Sequence, residues 1–412
     1  MNRFADLLYS FIAIPVINTI LPFLSIFHPK IRRRLTEEDA AMQHIAGLPK
    51  KQTRILFHAA SMGELEQCVP IIHAIHELQP NIEIVVSCMS PSGYSHACNL
   101  PEVFAAVYLP VDTVRNARRF FDGVNVDVMI IDRYDVWPNH MREAQKRNIQ
   151  VHLINATMPS MGQYRFIRAR VRELYNSLTT ITAVDAPDAA TLSAFLGRPI
   201  PYRPDTRIDR VIERISEPDV HIQTFKRSDV ATIILGSSWP PDEELVIVAL
   251  ASMASPQLRL IVVPHEPTEA AIAKIERHIT CTRLSVATPT TDGHIVVDNI
   301  GSLLSLYSIA DAAFVGGGFG AGVHSVTEPA GYGIPIACGP NFERSRDALA
   351  LREQGALSVL TTLDMTKDWI HNSVLNVTSR QLRGERARAF LDSHTGSSRD
   401  YAQDIIASLN VQ

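Results

Sequence analysis

Two carboxylates, an alternating charge run and one glycine-rich turn are the features of this chain whose types and spacing suggest chemistry. The run His58-Ala-Ala-Ser-Met-Gly-Glu64 follows a short apolar segment and opens a helical pattern. Ser61 and Gly63 suit a helix start, which puts Glu64 near the helix opening, where a carboxylate is stabilised in its ionised form. Such a group either complements the helix dipole or acts as a base. The run Ile131-Asp-Arg-Tyr-Asp-Val-Trp-Pro-Asn139 crowds Arg133 and Asp135 among aromatics in one turn. It reads either as a surface ion pair or as a ligand contact. Pro204-Asp-Thr-Arg-Ile-Asp-Arg210 alternates charge, and in the second half Gly236-Ser-Ser-Trp-Pro240 and Pro264-His-Glu266 each close an apolar run. His265 taken alone reads as structural rather than functional.

The densest signal is Phe314-Val-Gly-Gly-Gly-Phe-Gly-Ala-Gly-Val-His324-Ser-Val-Thr-Glu-Pro329. A glycine-rich turn exposes backbone N–H groups to a phosphate, and the N-terminus of the helix that follows favours negative charge. Glu328 comes a few residues later, as a carboxylate able to accept both hydrogens of a ribose diol. Gly316, Gly318 and Ala321 also fit the dinucleotide pattern G-x-G-x-x-A, which brings a nicotinamide dehydrogenase into consideration. The match lies late in the chain, however, and no acidic residue closes a following strand. The patterns G-x-x-x-x-G-K-[ST], H-E-x-x-H and G-x-S-x-G are absent, which argues against P-loop hydrolysis, zincin proteolysis and α/β-hydrolase chemistry.

These residues need elements to hold them. At 412 residues, 46% hydrophobic and 20% charged, the chain has a globular composition and the length of two domains. Lys+Arg 39 against Asp+Glu 43 gives a net charge of -4, so there is no electrostatic case for wrapping nucleic acid. Cys68, Cys88, Cys98, Cys281 and Cys338 form no C-x-x-C pair and read as reduced thiols. Short β-branched runs predict strands at 54–58, 82–88, 126–131, 151–155 and 179–184, then at 231–235, 258–263, 294–297, 312–315 and 335–338. Amphipathic helical patterns separate them. One of these carries Leu65, Val69, Ile72, Ile75 and Leu78 on one face, with Pro70 expected to kink it or mark its first turn. A proline-rich stretch, 201–218, reads as a linker between domains 36–200 and 219–412. The expected fold is α/β: two Rossmann-like domains facing each other across a cleft, with ligands at the carboxyl ends of the strands. A nucleotide-sugar transferase of this type, the GT-B arrangement, fits better than a dehydrogenase.

Residues 1–35 are expected to form a membrane-facing anchor segment. No charge occurs from Leu7 to Phe27, and Lys30, Arg32, Arg33 and Arg34 follow. About 20 apolar residues are enough to span a bilayer, although Pro15, Asn18 and Pro22 weaken a straight span. The basic cluster is expected among anionic headgroups on the cytoplasmic side.

The ordered set of motifs resembles the Kdo transferases of lipopolysaccharide assembly, membrane-associated GT-B enzymes that move 3-deoxy-D-manno-octulosonic acid (Kdo) from CMP-Kdo to a lipid A precursor. The resemblance runs through the apolar N-terminus, His58…Ser61-x-Gly63-Glu64, Ser90-Pro-Ser-Gly93, Tyr108-Leu-Pro-Val-Asp112, Tyr134-Asp-Val-Trp-Pro-Asn139 and Asp205-Thr-Arg-Ile-Asp-Arg210. It continues through Gly236-Ser-Ser-Trp-Pro240, Pro264-His-Glu266, Phe314-Val-Gly-Gly317 and His324-Ser-Val-Thr-Glu-Pro-Ala330.

The resemblance implies an inverting transferase on the cytoplasmic face of the inner membrane, with CMP-Kdo, the lipid A precursor and the membrane surface as its partners and no cofactor or metal. It implies Glu64 as the general base, Asp135 as the second catalytic carboxylate and Arg207 as the cationic stabiliser. CMP contacts are implied at Pro264, His265, Gly301, Ser302, Leu303 and Gly317, and at Ser325, Val326, Thr327 and Glu328. An oxocarbenium-like transition state needs a base for the incoming hydroxyl and positive charge for the departing phosphate. Arginines of the 165–172 stretch (Arg165, Arg168, Arg170, Arg172) read either as a solvated helix face or as contacts for lipid phosphates. Three positions depart from the family pattern: Asp135 where glutamate is usual, Ser325 where asparagine is usual, and Pro204 where glycine is usual. Shortening Glu to Asp withdraws the carboxylate by about 1.5 Å, a C–C bond. A transferase using another nucleotide sugar and a non-catalytic membrane-bound nucleotide-binding scaffold remain the alternatives.

Overall fold

Strands β1 (Arg54–Ala59), β2 (Glu83–Cys88), β3 (Val103–Tyr108), β4 (Val128–Asp132), β5 (Gln150–Ala156) and β6 (Thr180–Ala183) form one parallel sheet in the order β3-β2-β1-β4-β5-β6. A second, seven-stranded sheet is built from β7 (Ala231–Ser238), β8 (Leu258–Pro264), β9 (Cys281–Arg283), β10 (His294–Val296), β11 (Ala312–Val315), β12 (Ile336–Cys338) and β13 (Leu357–Val359). Its order is β13-β12-β11-β7-β8-β10-β9, and its strand pairs are parallel. This computed structural model describes residues 9–10, 14–159, 162, 165–217, 219–253 and 257–409.

The apolar runs make central strands because side chains alternate across a sheet whose two faces are both covered. In β1, Ile55, Phe57 and Ala59 enter one core cluster with helix Met62–Leu78, while Leu56 enters the cluster on the opposite face. Pro70 lies well inside that helix, among buried neighbours, and does not end it.

The chain divides into two units, residues 1–210 with 396–412, and residues 211–395. This corrects the expected boundaries in two respects. Most of the stretch read as a linker is helix Thr206–Ser216, and the division falls inside it. Pro218 lies outside the described residues. The C-terminal helix Ser397–Leu409 belongs to the first unit, where Tyr401, Ala402 and Ile405 join the cluster formed by Leu65, Cys68, Val69 and Ile72. Helix Thr206–Ser216 begins in the same unit, and its Asp209 accepts the backbone N–H groups of Gly396 and Ser398 at 2.7 Å each.

The expected anchor is only partly within view, because residues 1–8 and 11–13 lie outside the described residues. Helix Ile14–Phe27 has 14 residues and contains Pro22. At about 1.5 Å per residue this is roughly 21 Å, shorter than the ~30 Å hydrocarbon layer. Among the described residues no helix is long and apolar enough to cross a membrane. The basic cluster is also divided: Arg34 turns inward to the carbonyl of Leu109 at 2.7 Å, and Arg33 pairs with Glu37 at 2.7 Å. Lys30 and Arg32 remain exposed.

Candidate active site

In the first unit the ends of β1 and β4 deliver the predicted carboxylates. Ser61 caps helix Met62–Leu78 and forms a capping box with Glu64. The Ser61 N–H donates to Glu64 Oε2 at 3.1 Å, and the Glu64 N–H donates to Ser61 Oγ at 3.3 Å. The glutamate is therefore fixed by backbone at the positive end of a 17-residue helix. Burial pushes its carboxyl above the ordinary carboxylate value; the N–H groups of Ser61 and Ala60 oppose this, and the negative charge of Asp135 adds to it.

Asp135 is moved the other way. Burial alone would raise it, but a hydrogen bond and charge from His58, with contributions from Trp137 and His140, hold it below its usual value. Its Oδ2 lies 2.8 Å from His58 Nε2. Two carboxylates that sense one another are thus pushed apart in acidity, the pattern that separates a base from a permanently charged partner.

Arg207 does not reach this pair in any described contact. Its guanidinium bonds Asp205 Oδ2 at 3.2 Å, and its side chain is 47% exposed. The same carboxylate oxygen accepts from Arg133 at 2.9 Å, and Gln67 donates to Asp205 Oδ1 at 3.1 Å while accepting from Arg133 at 3.0 Å. Asp132 and Asn155 continue this network inward: Asn155 Nδ2 donates to Asp132 at 2.8 Å and to Thr206 at 2.9 Å. Arg133 (φ 68°) and Asn155 (φ 48°) adopt the left-handed backbone region at the ends of β4 and β5. Such strain collects where surrounding structure fixes a functional geometry.

His58, Ser87, Asp132 and Asp205 were not among the site residues expected from sequence. A signal was present for three of them, Asp205 standing in the alternating charge run 204–210. His58 and Asp132 are polar residues at the ends of otherwise apolar strands, RILFHA and VMIID.

The second unit holds a cavity of about 330 Å³. Gly301, Leu303, Ser325 and Glu328, four of the positions at which CMP contacts were implied, line it together with Arg214, Ser237, Tyr307 and His324. His265 stacks on His324 with ring centroids 4.4 Å apart. Trp239 Nε1 donates to His324 Nε2 at 3.2 Å, so that nitrogen is an acceptor. Burial, and then the neighbouring His265, keep His324 below its ordinary value, which suits a neutral ring. Pro264, Ser302, Gly317, Val326 and Thr327 are absent from the lining; Val326 and Thr327 are buried, and Ser302 Oγ donates to Asn299 at 2.6 Å.

The glycine-rich turn corrects the expectation of an open phosphate cradle. The N–H of Gly316 donates to Gly236 O at 2.8 Å, that of Gly320 to Gly317 O at 2.9 Å and that of Gly322 to Gly317 O at 3.3 Å. The N–H of Gly317 donates to the fully buried Asp242 at 3.0 Å, which also accepts from the Trp239 N–H at 2.9 Å. A Cβ on Gly316 would stand 2.4 Å from the carbonyl oxygen of Ser237 and one on Gly318 2.6 Å from the N of Gly339. These glycines therefore let the chain pack on itself, and the following helix, Thr327–Gly331, has only five residues.

The arginines of 165–172 are mostly engaged within the unit. Arg168 stacks on Phe195 at 5.0 Å, Arg172 bonds the carbonyl of Leu196 at 3.2 Å and Arg170 pairs with Glu173 at 3.0 Å. The side chain of Arg165 lies outside the described residues. Among the described residues no group of three or more His, Cys, Asp or Glu side chains is arranged to hold a metal ion.

Comparison with known proteins gives the same outline. The family model for 3-deoxy-D-manno-octulosonic-acid transferase (kdotransferase) matches residues 32–210. The 3-deoxy-D-manno-octulosonic acid transferase of Haemophilus influenzae is 25% identical over 93% of each chain. That of Bordetella pertussis is 24% identical over 83% of this chain and 84% of its own. Among solved structures, UDP-GlcNAc 2-epimerase from Neisseria meningitidis superposes with a TM-score of 0.60 at 12% identity, covering 87% of this chain and 100% of its own. MurG from Acinetobacter baumannii superposes with a TM-score of 0.54 at 14% identity, covering 87% and 99%. At such identities the structures speak for the fold alone, two parallel-sheet α/β domains of the GT-B type.

Proposed function

We propose that this chain, similar to 3-deoxy-D-manno-octulosonic acid transferases over most of its length, is a glycosyltransferase of lipopolysaccharide biosynthesis that moves Kdo from CMP-Kdo to the lipid A precursor lipid IVA. The observation that carries this reading is the pair Glu64 and Asp135, opposed in acidity at the ends of neighbouring parallel strands. Glu64 takes the proton of the acceptor hydroxyl as its oxygen bonds the anomeric carbon. The bond from that carbon to the phosphate oxygen breaks, its electron pair leaves with CMP, and configuration inverts. Asp135, held ionised, faces the positive charge that develops on the sugar. Arg207 is the cationic stabiliser in this reading. The nucleotide occupies the cavity of the second unit, with Glu328 at the ribose and Ser325 beside it.

Transfer of Kdo to lipid IVA, with CMP-Kdo generated in situ, tests the reading. Product mass should rise by whole Kdo increments, and CMP, but not UDP, should raise the melting temperature. Stabilisation by UDP instead would move the donor to another nucleotide sugar. CMP binding without any transfer would favour a scaffold.

The proposal includes a place at the cytoplasmic face of the inner membrane. On helix Ile14–Phe27 the side chains of Val16, Ile20, Phe23, Leu24, Ile26 and Phe27 are exposed, with Lys30 and Arg32 just beyond. A helix of this kind lies in the interface plane, its apolar side among acyl chains and its cations at anionic headgroups. Co-sedimentation with phosphatidylglycerol vesicles should be strong, and Phe23→Asp with Phe27→Asp should abolish it without altering CMP-induced stabilisation. Unchanged sedimentation of the double variant would remove this helix as the anchor.

A further inference from the structure

His58 occupies an unusual place for an imidazole. It is the fifth residue of β1, fully buried, in the run Arg-Ile-Leu-Phe-His-Ala. A buried histidine in a parallel sheet is accounted for when both ring nitrogens have partners, and here the partners differ in kind. Nδ1 lies 2.9 Å from Ser87 Oγ and 3.2 Å from the Ser87 carbonyl oxygen. Ser87 is the direct register partner of His58 in β2, so this contact is fixed by the sheet. Nε2 lies 2.8 Å from Asp135 Oδ2, and Asp135 belongs to the turn after β4. The ring is therefore a rigid strut between the sheet and a turn that begins in left-handed backbone at Arg133.

The proton positions follow from donor and acceptor inventory. An ionised carboxylate only accepts, so Nε2 carries the hydrogen. In the neutral ring Nδ1 is then an acceptor, and among its two neighbours only the Ser87 hydroxyl can donate. The other acceptor for that hydroxyl, the Phe57 carbonyl, is 3.5 Å away, a longer and weaker contact. Serine thus sets the tautomer that aspartate needs.

We propose that His58 is a positioning residue: with Ser87 it presents a fixed Nε2–H donor that holds the Asp135 carboxylate in its productive orientation. This rests on the proposed transfer reaction for its kinetic consequence, but its structural content stands apart from it. A displacement of about 1 Å in a reacting group costs on the order of a hundredfold in rate.

Two amide substitutions separate this role from simple core filling. Glutamine places an N–H near the position of Nε2, whereas asparagine reaches only the position of Nδ1. His58→Gln should keep most of the wild-type kcat, while His58→Asn should lose about a hundredfold with the KM for CMP-Kdo unchanged. Equal kcat in the two variants, whether both high or both low, would overturn the proposal. If a variant fails to fold, the wild-type chain supplies a second measurement. Nitrogen NMR of histidine labelled with 15N should show a hydrogen on His58 Nε2, and Ser87→Ala should perturb the His58 signals. The Nδ1–H tautomer in the wild type would overturn the proposal. Absence of Kdo transfer by the wild type would count against the proposed function, while the tautomer would still decide the role of His58.

Discussion

Replacing Glu64 by glutamine should lower kcat for Kdo transfer by about 10²–10⁴-fold, the usual contribution of a general base. The substitution is unusually clean here because glutamine also serves as the third helical residue of a capping box. The Ser61 N–H keeps an acceptor and Ser61 Oγ still receives the residue 64 N–H, so the start of helix Met62–Leu78 should survive. CMP-induced stabilisation should be unaltered, since the nucleotide cavity is lined entirely by second-unit residues. The pH profile carries a second signature. Because burial raises the Glu64 carboxyl above its ordinary value, the base is protonated and inactive below that raised value. Wild-type kcat/KM should then climb as pH passes upward through it, with a midpoint above the ordinary glutamate value. The residual activity of Glu64→Gln should lack that limb. A variant with wild-type kcat and an unchanged acidic limb would remove Glu64 as the base.

The largest expected loss of stability comes from Arg54→Met. Arg54 is the first residue of β1, fully buried, with its guanidinium 2.7 Å from Glu83 Oε2, 2.8 Å from the carbonyl of Val124 and stacked over Phe104 at 5.1 Å. Methionine replaces the apolar stem but leaves Glu83, itself buried, without its cation. Breaking one side of a buried pair costs about 3–5 kcal/mol, a large part of the ~5–15 kcal/mol that holds a domain. Urea unfolding of the full chain, followed by a probe in the first unit, should show that transition moved to lower denaturant. The double variant Arg54→Met with Glu83→Leu should recover much of the loss, because it removes both charges rather than one. Equal stability of the single and double variants would show that the loss comes from packing rather than from the stranded carboxylate.

The central strands were legible from sequence, since a run such as Ile55-Leu56-Phe57 fills two core layers at once and can hardly do otherwise. The strands that sequence missed are β3, β9 and β13, each at the edge of its sheet. β3 has one covered and one partly open face, and β9 and β13 are three residues long, so none carries a long buried run. The return of helix Ser397–Leu409 to the first unit was also out of reach. An amphipathic pattern says that a face is covered, not which unit covers it. The glycine-rich turn was misread for a related reason: glycine permits close approach, but sequence does not say whether a ligand or the chain's own backbone approaches.

By itself the sequence determined the alternation of strands and helices, the capped start that orients Glu64, and the ordered motifs of the family. Tertiary structure alone decided which polar groups act together. His58 and Asp135 are 77 positions apart, and Arg133 and Asp205 are 72. Parallel pairing of β1 with β4 brings the ends of these segments to one edge, where burial raises one carboxyl and a histidine lowers the other. Acidity is a property of surroundings rather than of residue type, and those surroundings exist only once the sheet has formed.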